Sequence, residues 1–286
     1  MPVSSIKTDF FSFAPRAISN RSHEAGADDV RRLNRFSALS SRAVRCIAAL
    51  FFCAAFQSTA YAHGLKVVEL FTSQSCYSCP AADDLVAELA DNDDSILNLE
   101  FHVDYWNQLQ YRNAGNWVDP YSTAGFTDRQ RIYNANGLRG RNGVYTPQAV
   151  VNGVFGAIGS SRNTLLEELE KPVYPVVDVS VVRAGDNILD IEIEAEPTLK
   201  GQVFLVEFIK KTSTVITAGE NHNKVMDNYN VVTSFRPIAS LGTTDSTPPK
   251  PVRALKIAQF SEPDHGCAIV VQSPRQGPIL GAARCP

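Results

Sequence analysis

The stretch Val68-Glu69-Leu70-Phe71-Thr72-Ser73-Gln74-Ser75-Cys76-Tyr77-Ser78-Cys79-Pro80 decides how this chain folds. It begins in the apolar run Leu65–Phe71, which reads as a largely buried strand. It ends at Pro80, and beyond it Ala82, Leu85, Val86, Leu89 and Ala90 recur at helical spacing. A CxxC motif therefore sits where a strand hands over to an amphipathic helix. The unsatisfied amides of a helix start carry about half a positive charge and stabilise a thiolate placed there. Pro80 costs little in the first turn, because its missing N–H would be unpaired in any case. This reading sets Cys76 at about the N-cap, as the exposed attacking sulfur. Cys79 falls in the first turn, facing inward, as the resolving sulfur.

Working outward, Ile96–Val103 reads as a second strand, followed by a polar and aromatic stretch that runs to residue 144. Within it a helix is expected over Ser122–Asn136, stopped by Gly137. Thr146-Pro147 precedes the run Gln148–Val151, the turn Asn152-Gly153 and the run Val154–Gly156, which together read as a hairpin. Ser161 is a plausible N-cap for a helix carrying Leu165, Leu166 and Leu169. After Pro172 the period changes to two: Leu189, Ile191, Ile193 and Ala195 alternate with acidic residues. A hairpin is expected between Val176–Val182 and this strand. Further strands are expected at Val203–Ile209, Asn230–Phe235, Ala254–Phe260, Ala268–Gln272 and Ile279–Ala283. Short strands at this spacing suggest a β-sandwich. The expected architecture is an α/β domain over 63–172 followed by an all-β, sandwich-like domain over 173–286.

Residues 1–62 are expected to be a leader. Arg42 and Arg45 precede the apolar run Cys46–Phe56, and Ala60-Tyr61-Ala62 has the small-x-small cleavage pattern of a secretory signal. The run is too short to span a bilayer. A periplasmic or secreted location follows, with cleavage after Ala62 and no membrane anchor afterwards. Cleavage leaves Cys76, Cys79, Cys267 and Cys285, an even count that suits an oxidising compartment. A hairpin centred near Gln276 sets Cys267 opposite Cys285, within reach of a structural disulfide. The 286-residue chain has a net charge of only −3, 44% hydrophobic and 20% charged residues. That composition excludes disorder of the whole chain and lacks the basic footprint of a nucleic-acid binder.

The order strand–CxxC–helix–strand, then Thr-Pro before a hairpin and a last helix, resembles the thioredoxin fold. The opening stretch is similar to the signature of a bacterial family of secreted, thioredoxin-like proteins of unknown function. So are Phe101-His102-Val103-Asp104-Tyr105-Trp106, Thr146-Pro147-Gln148-Ala149-Val150-Val151-Asn152-Gly153, Gly219-Glu220-Asn221 and Gly277-Pro278-Ile279-Leu280-Gly281-Ala282-Ala283. The resemblance implies that Pro147 is cis and lies against the CxxC, with Thr146 beside it. Tyr-Ser between the cysteines departs from the Gly-Pro of thioredoxin itself.

Three groups of residues admit two readings each. Glu69 is either a buried proton acceptor for Cys79 or a glutamate at an edge or paired with arginine. His102 and Asp104 either join the cysteines around a metal or form a structural hydrogen-bond network. The aromatic residues of 105–133 either form a lid or groove or fill a local core. The leading functional expectation is an exported thiol–disulfide oxidoreductase using Cys76, Cys79, Thr146, Pro147 and Glu69. It would need no cofactor, and its partners would be protein or small-molecule thiols and disulfides. The alternatives are a binding or adaptor protein with a static CxxC disulfide, and a metal-handling protein using Cys76, Cys79 and His102.

Overall fold

The computed structural model of the chain describes residues 64–171, 177–185, 188–196, 198–242, 252–255 and 264–286. The expected leader and the proposed 172–173 boundary lie outside them. The chain enters on β1 (Lys66–Thr72), passes through the CxxC into α1 (Pro80–Asn92), and returns as β2 (Ile96–His102), parallel to β1. A long connection leads to α2 (Ala124–Asn136). Thr123 caps α2 by accepting the Phe126 N–H, and Gly137 ends it at φ +85°. The short β3 (Arg139–Gly140), β4 (Gln148–Val151), β5 (Phe155–Ile158) and α3 (Arg162–Leu169) follow. The turn between β4 and β5 is Asn152-Gly153, both at positive φ, as its residue types demand.

Beyond residue 176 come β6 (Asp178–Gly185), β7 (Ile188–Glu194), β8 (Gly201–Val215), β9 (Val225–Leu241), β10 (Val252–Leu255), β11 (His265–Gln272) and β12 (Ile279–Arg284). Strands β6, β7 and β10 form a small antiparallel sheet of their own. The other nine strands form one sheet, in the order β12-β11-β8-β9-β2-β1-β4-β5-β3. Sheet pairing thus runs across the expected boundary. Strand β9 lies parallel beside β2 at Glu100 and Val231, and the Asn230 amide donates to both the backbone and side-chain oxygens of Asn98. The fold is a mixed α/β structure dominated by this sheet. Strands β8 and β9 are far longer than the apolar runs that announced them, because their distal halves form a two-stranded ribbon with polar faces.

One face of the sheet packs on α2 through Val67, Phe71, Leu97, Leu99, Phe101, Val206, Phe208, Val232 and Val270, with Phe126 and Tyr133 from the helix. At one end of the other face, α1 and α3 cover Val68, Leu70, Ala149 and Val151 with Leu85, Val86, Leu89, Leu165 and Leu169. Burying each such side chain contributes about 1.5–3 kcal/mol. At the other end, Leu189, Ile191 and Ile193 of the small sheet pack on Val203, Leu205, Ile269 and Val271. Strands β11 and β12 pair with Ala268 opposite Arg284 and Val270 opposite Ala282. Just beyond this ladder, Cys267 and Cys285 are joined by a disulfide with Cα atoms 5.3 Å apart.

Candidate functional site

The CxxC is a closed turn in front of α1. The Cys76 N–H donates to Ser73 O, and the Cys79 N–H donates to Cys76 O at 3.2 Å. A disulfide joins Cys76 and Cys79, with Cα atoms 5.4 Å apart. The N-cap is Cys79, not Cys76, and Pro80 is the first helical residue. Proline is suited to that place by its fixed φ and missing donor, which sets the helix start three residues later than expected. Cys76 is not the exposed sulfur either: it is 1% exposed and Cys79 is fully buried, while Tyr77 between them is 67% exposed.

Two segments surround this turn. The Thr146–Pro147 peptide bond is cis. The indole N–H of Trp106, in the connection after β2, donates to Thr146 Oγ1 at 2.8 Å. Gly159 shows where Pro147 sits: a Cβ on Gly159 would lie 2.9 Å from Ala82 Cβ in the first turn of α1 and 3.3 Å from Pro147 Cβ. The second segment is the tip of the β8–β9 ribbon, residues 216–224. Asn221 is fully buried there, and its amide donates to both Gln74 O and Cys76 O at 2.9 Å. Its oxygen accepts from Lys224 Nζ at 2.8 Å, so every polar atom of the side chain is used. Glu220 accepts the Tyr77 N–H at 3.0 Å, and the Lys224 ammonium lies 4.3 Å from the centre of the Tyr77 ring. Gly219 has φ +75° and passes so close to Trp117 that a Cβ would meet it at 3.2 Å. Trp117 in turn binds the loop before the cysteines, donating to Gln74 Oε1 and accepting from Ser75 Oγ at its carbonyl. Of the aromatic residues of 105–133, Trp117 thus binds the loop before the cysteines and Trp106 the cis-proline turn, whereas Phe126 and Tyr133 fill the core beneath α2, with Trp106 packed against it.

Beneath the turn lies a buried set of ionisable groups. Asp83, one turn along α1 from Cys79, accepts Thr72 Oγ1 at 2.7 Å, and its other oxygen has no partner. Burial pushes the Asp83 carboxyl well above the usual carboxylate range, and the Glu100 charge adds to this. Burial likewise raises Glu100, against the pull of His102. The His102 ring meets Asp119 Oδ2 at 2.7 Å through Nδ1 and lies 3.6 Å from Glu100 through Nε2, an ion-pair rather than a hydrogen-bond distance. Burial alone would lower the imidazole, but Asp119 and Glu100 outweigh it and push it up to about 10. Asp119 moves down: burial opposes this, but His102 and the N–H groups of Gln74 and Tyr121 prevail. The strand end and loop that lead into the disulfide are thus tied to buried carboxyls, Thr72 to the raised Asp83 and Gln74 to the Asp119 that holds His102.

The other expected site residues are placed elsewhere. Glu69 points to the opposite face of the sheet from Thr72 and α1. Its oxygens are held by Arg129 at 2.7 Å and by the Tyr133 hydroxyl, so the arginine-paired reading stands and the proton-acceptor reading is corrected. His102 and Asp104 part company. Asp104 takes the Thr127 hydroxyl at 2.6 Å at the start of α2, and among the described residues no three of His, Cys, Asp and Glu come together as metal ligands. The expected reading missed Asp83, Glu100, Asp119, Glu220 and Asn221. A signal existed for four of them: Glu220 and Asn221 stand in a segment that resembles the family, and the first two break an apolar pattern. Asp83 stands among the apolar residues of an amphipathic helix, and Asn98, Glu100 and His102 alternate with Leu97, Leu99 and Phe101 in one strand.

Comparison with known proteins adds a family without adding an activity. No curated protein matches the chain. A crystal structure of a protein from Agrobacterium tumefaciens, determined by a structural genomics consortium, is similar at 29% identity. It covers 77% of this chain and 93% of that one, with a TM-score of 0.62. HBP35 of Porphyromonas gingivalis is similar at 12% identity, covering 78% of this chain and 74% of that one, with a TM-score of 0.46. A family model described as a protein of unknown function, DUF1223, matches residues 67–272. That span holds the CxxC, the cis-proline turn, the ribbon tip and the buried set beneath them, and the chain belongs to the DUF1223 family.

Proposed function

We propose that this protein is an exported thiol–disulfide oxidoreductase built on a thioredoxin-like domain, with the small sheet and the end of the large one as a sandwich-like appendage. The observation that carries the reading is the Cys76–Cys79 disulfide at the start of α1, with a cis-proline beside that helix's first turn. In the reduced protein the Cys76 thiolate attacks one sulfur of a substrate disulfide. That S–S bond breaks, the departing substrate sulfur takes a proton, and a mixed disulfide forms. Cys79 then attacks Cys76 Sγ, releases the second substrate thiol and restores the Cys76–Cys79 bond. Two electrons and two protons pass to the substrate, and the reaction reverses when the partner is the stronger oxidant. The place of Asp83 on α1, buried and one turn along from Cys79, supports a role for that carboxyl in handling the Cys79 proton. The Ala60-Tyr61-Ala62 pattern supports export.

The test is a Cys79→Ser variant of the exported protein, which should accumulate mixed disulfides through Cys76, while Cys76→Ser should not. Absence of mixed disulfides in both would overturn the reading. One observation favours a second reading, a static disulfide in a binding protein: both cysteines are covered in the oxidised state. A disulfide that resists a mild dithiol reductant in the folded protein would support it.

A further inference from the structure

The ribbon tip sets a carboxylate where the chemistry above would create a second negative charge. The Tyr77 N–H is the first amide after Cys76, and it is donated to Glu220 Oε2 at 3.0 Å. The Cys79 N–H is taken by Cys76 O, and Pro80 has no N–H. Glu220 therefore occupies the amide next to Cys76, whose sulfur meets the Ser78 hydroxyl at 3.5 Å. It does so from a segment that also lies against the Cys76 backbone, since Asn221 of the same turn binds Gln74 O and Cys76 O.

We propose that Glu220 is a redox-responsive latch: its carboxylate holds the ribbon tip on the CxxC turn while the disulfide is intact, and the thiolate formed at Cys76 on reduction expels it and uncovers the sulfur. The proposal rests on the thiol–disulfide reading. Reduction by a dithiol breaks the Cys76–Cys79 bond and adds two electrons. The dithiol becomes a disulfide, one of its two protons goes to Cys79 and the other to solvent, and Cys76 is left as a thiolate joined by one peptide unit to the amide that Glu220 holds. Glu220 thereby disfavours the reduced form and makes the pair more reducing. The charged and titratable groups on the segments around the CxxC turn come from the ribbon tip, two loops, α1 and β2. They are Glu220, Lys224 and the exposed His222 on the tip, Tyr77 and Asp119 on the loops, Asp83 on α1, and Glu100 and His102 on β2. Lys224 acts against Glu220, but it is committed to Asn221 Oδ1 and the Tyr77 ring. Replacing Glu220 by glutamine removes the charge and keeps an oxygen that can accept the Tyr77 N–H.

The experiment uses the full exported chain and iodoacetamide as probe. In a Cys79→Ser background, alkylation of Cys76 is followed against pH with and without Glu220→Gln, and with Glu220→Ala as a second variant. The midpoint should fall by up to one pH unit in both, a tenfold gain in thiolate at a given pH below it. With both cysteines present, Glu220→Gln should raise the equilibrium constant for reduction by glutathione by up to tenfold, or about 30 mV. Amide exchange in 216–224 should quicken on reduction of the wild type and be equally quick in both redox states of Glu220→Ala. An unchanged or higher midpoint, or a tip whose exchange ignores the redox state of the wild type, overturns the latch. Failure of the oxidoreductase reading is separate: Cys76 would then form no mixed disulfides, whatever the alkylation midpoint.

Discussion

Replacing Arg129 by methionine should be among the most damaging single changes in the chain, and the structure says why. Arg129 crosses from α2 to β1 and binds Glu69 Oε1 at 2.7 Å, with side chains 9% and 1% exposed. The same guanidinium donates to the Tyr133 hydroxyl at 3.0 Å and to Gln272 Oε1 at 3.1 Å, and lies 4.0 Å from the centre of the Phe235 ring. Methionine fills much of the volume but leaves Glu69 as a buried charge whose one remaining strong donor is Tyr133. Breaking a buried pair on one side costs about 3–5 kcal/mol. Removing both charges can be nearly neutral, so Glu69→Gln with Arg129→Met should be more stable than Arg129→Met alone. For a folded unit of this size the single change should lower Tm by roughly 6–20 °C, at about 2–4 °C per kcal/mol. Urea unfolding of the four proteins of the cycle, read by tryptophan fluorescence, gives the coupling directly. An Arg129→Met cost below about 1 kcal/mol, or a double variant as weak as the two single losses added, would refute this account of the pair. Neither substitution should alter the reactivity of Cys76, because the pair lies on the far face of the sheet.

Two further outcomes are expected. Replacing Cys267 and Cys285 together by alanine should cost about 3 kcal/mol for a loop of this length, given their separation of 18 residues; denaturation with the CxxC intact checks this, and a loss under about 1 kcal/mol would contradict it. His102 is raised from its ordinary range to about 10, so its contribution is complete below about pH 6.5 and is lost as pH climbs toward 10. Asp83 and Glu100, also raised, lose stability in the same direction. The urea midpoint of the wild type should fall between pH 6 and pH 10, and that of His102→Gln should fall less; equal slopes would show that the imidazolium is not stabilised by its carboxylates.

The apolar run of β1 and the helical spacing after Pro80 were enough to find the strand–CxxC–helix unit, since the first reports a strand covered on both faces and the second one buried helix face. The register that sets Cys267 against Cys285 was legible because two apolar runs flank a turn rich in breakers. Continuity of the sheet was not, because it depends on the pairing of β2 with β9, which are more than a hundred residues apart and joined through Asn98, Glu100 and Asn230. Polar residues in a strand do not announce a neighbour. Glu69 shows the same limit from the other side. Its burial and its pairing with an arginine were each among the readings left open, but the arginine that pairs with it comes from a helix whose direction across the sheet no local pattern encodes. The exposure of Cys76 was misjudged for a related reason, since the turn that binds its backbone lies some 145 residues away.

The shared sheet also bears on how the cysteine-bearing half can be used. A cassette cut at residue 171 would carry the CxxC, the cis-proline turn and helices α1, α2 and α3, and would look self-sufficient on a sequence map. It would lose β9, turning β2 from an interior strand into an open edge with unpaired backbone groups, which invites other chains to add on. It would also strip Gln272 from the Arg129 cluster and Asn221 from two backbone carbonyls beside the cysteines. The half that carries the chemistry is thus not portable, and grafting it onto another protein would require the β8–β9 ribbon to travel with it.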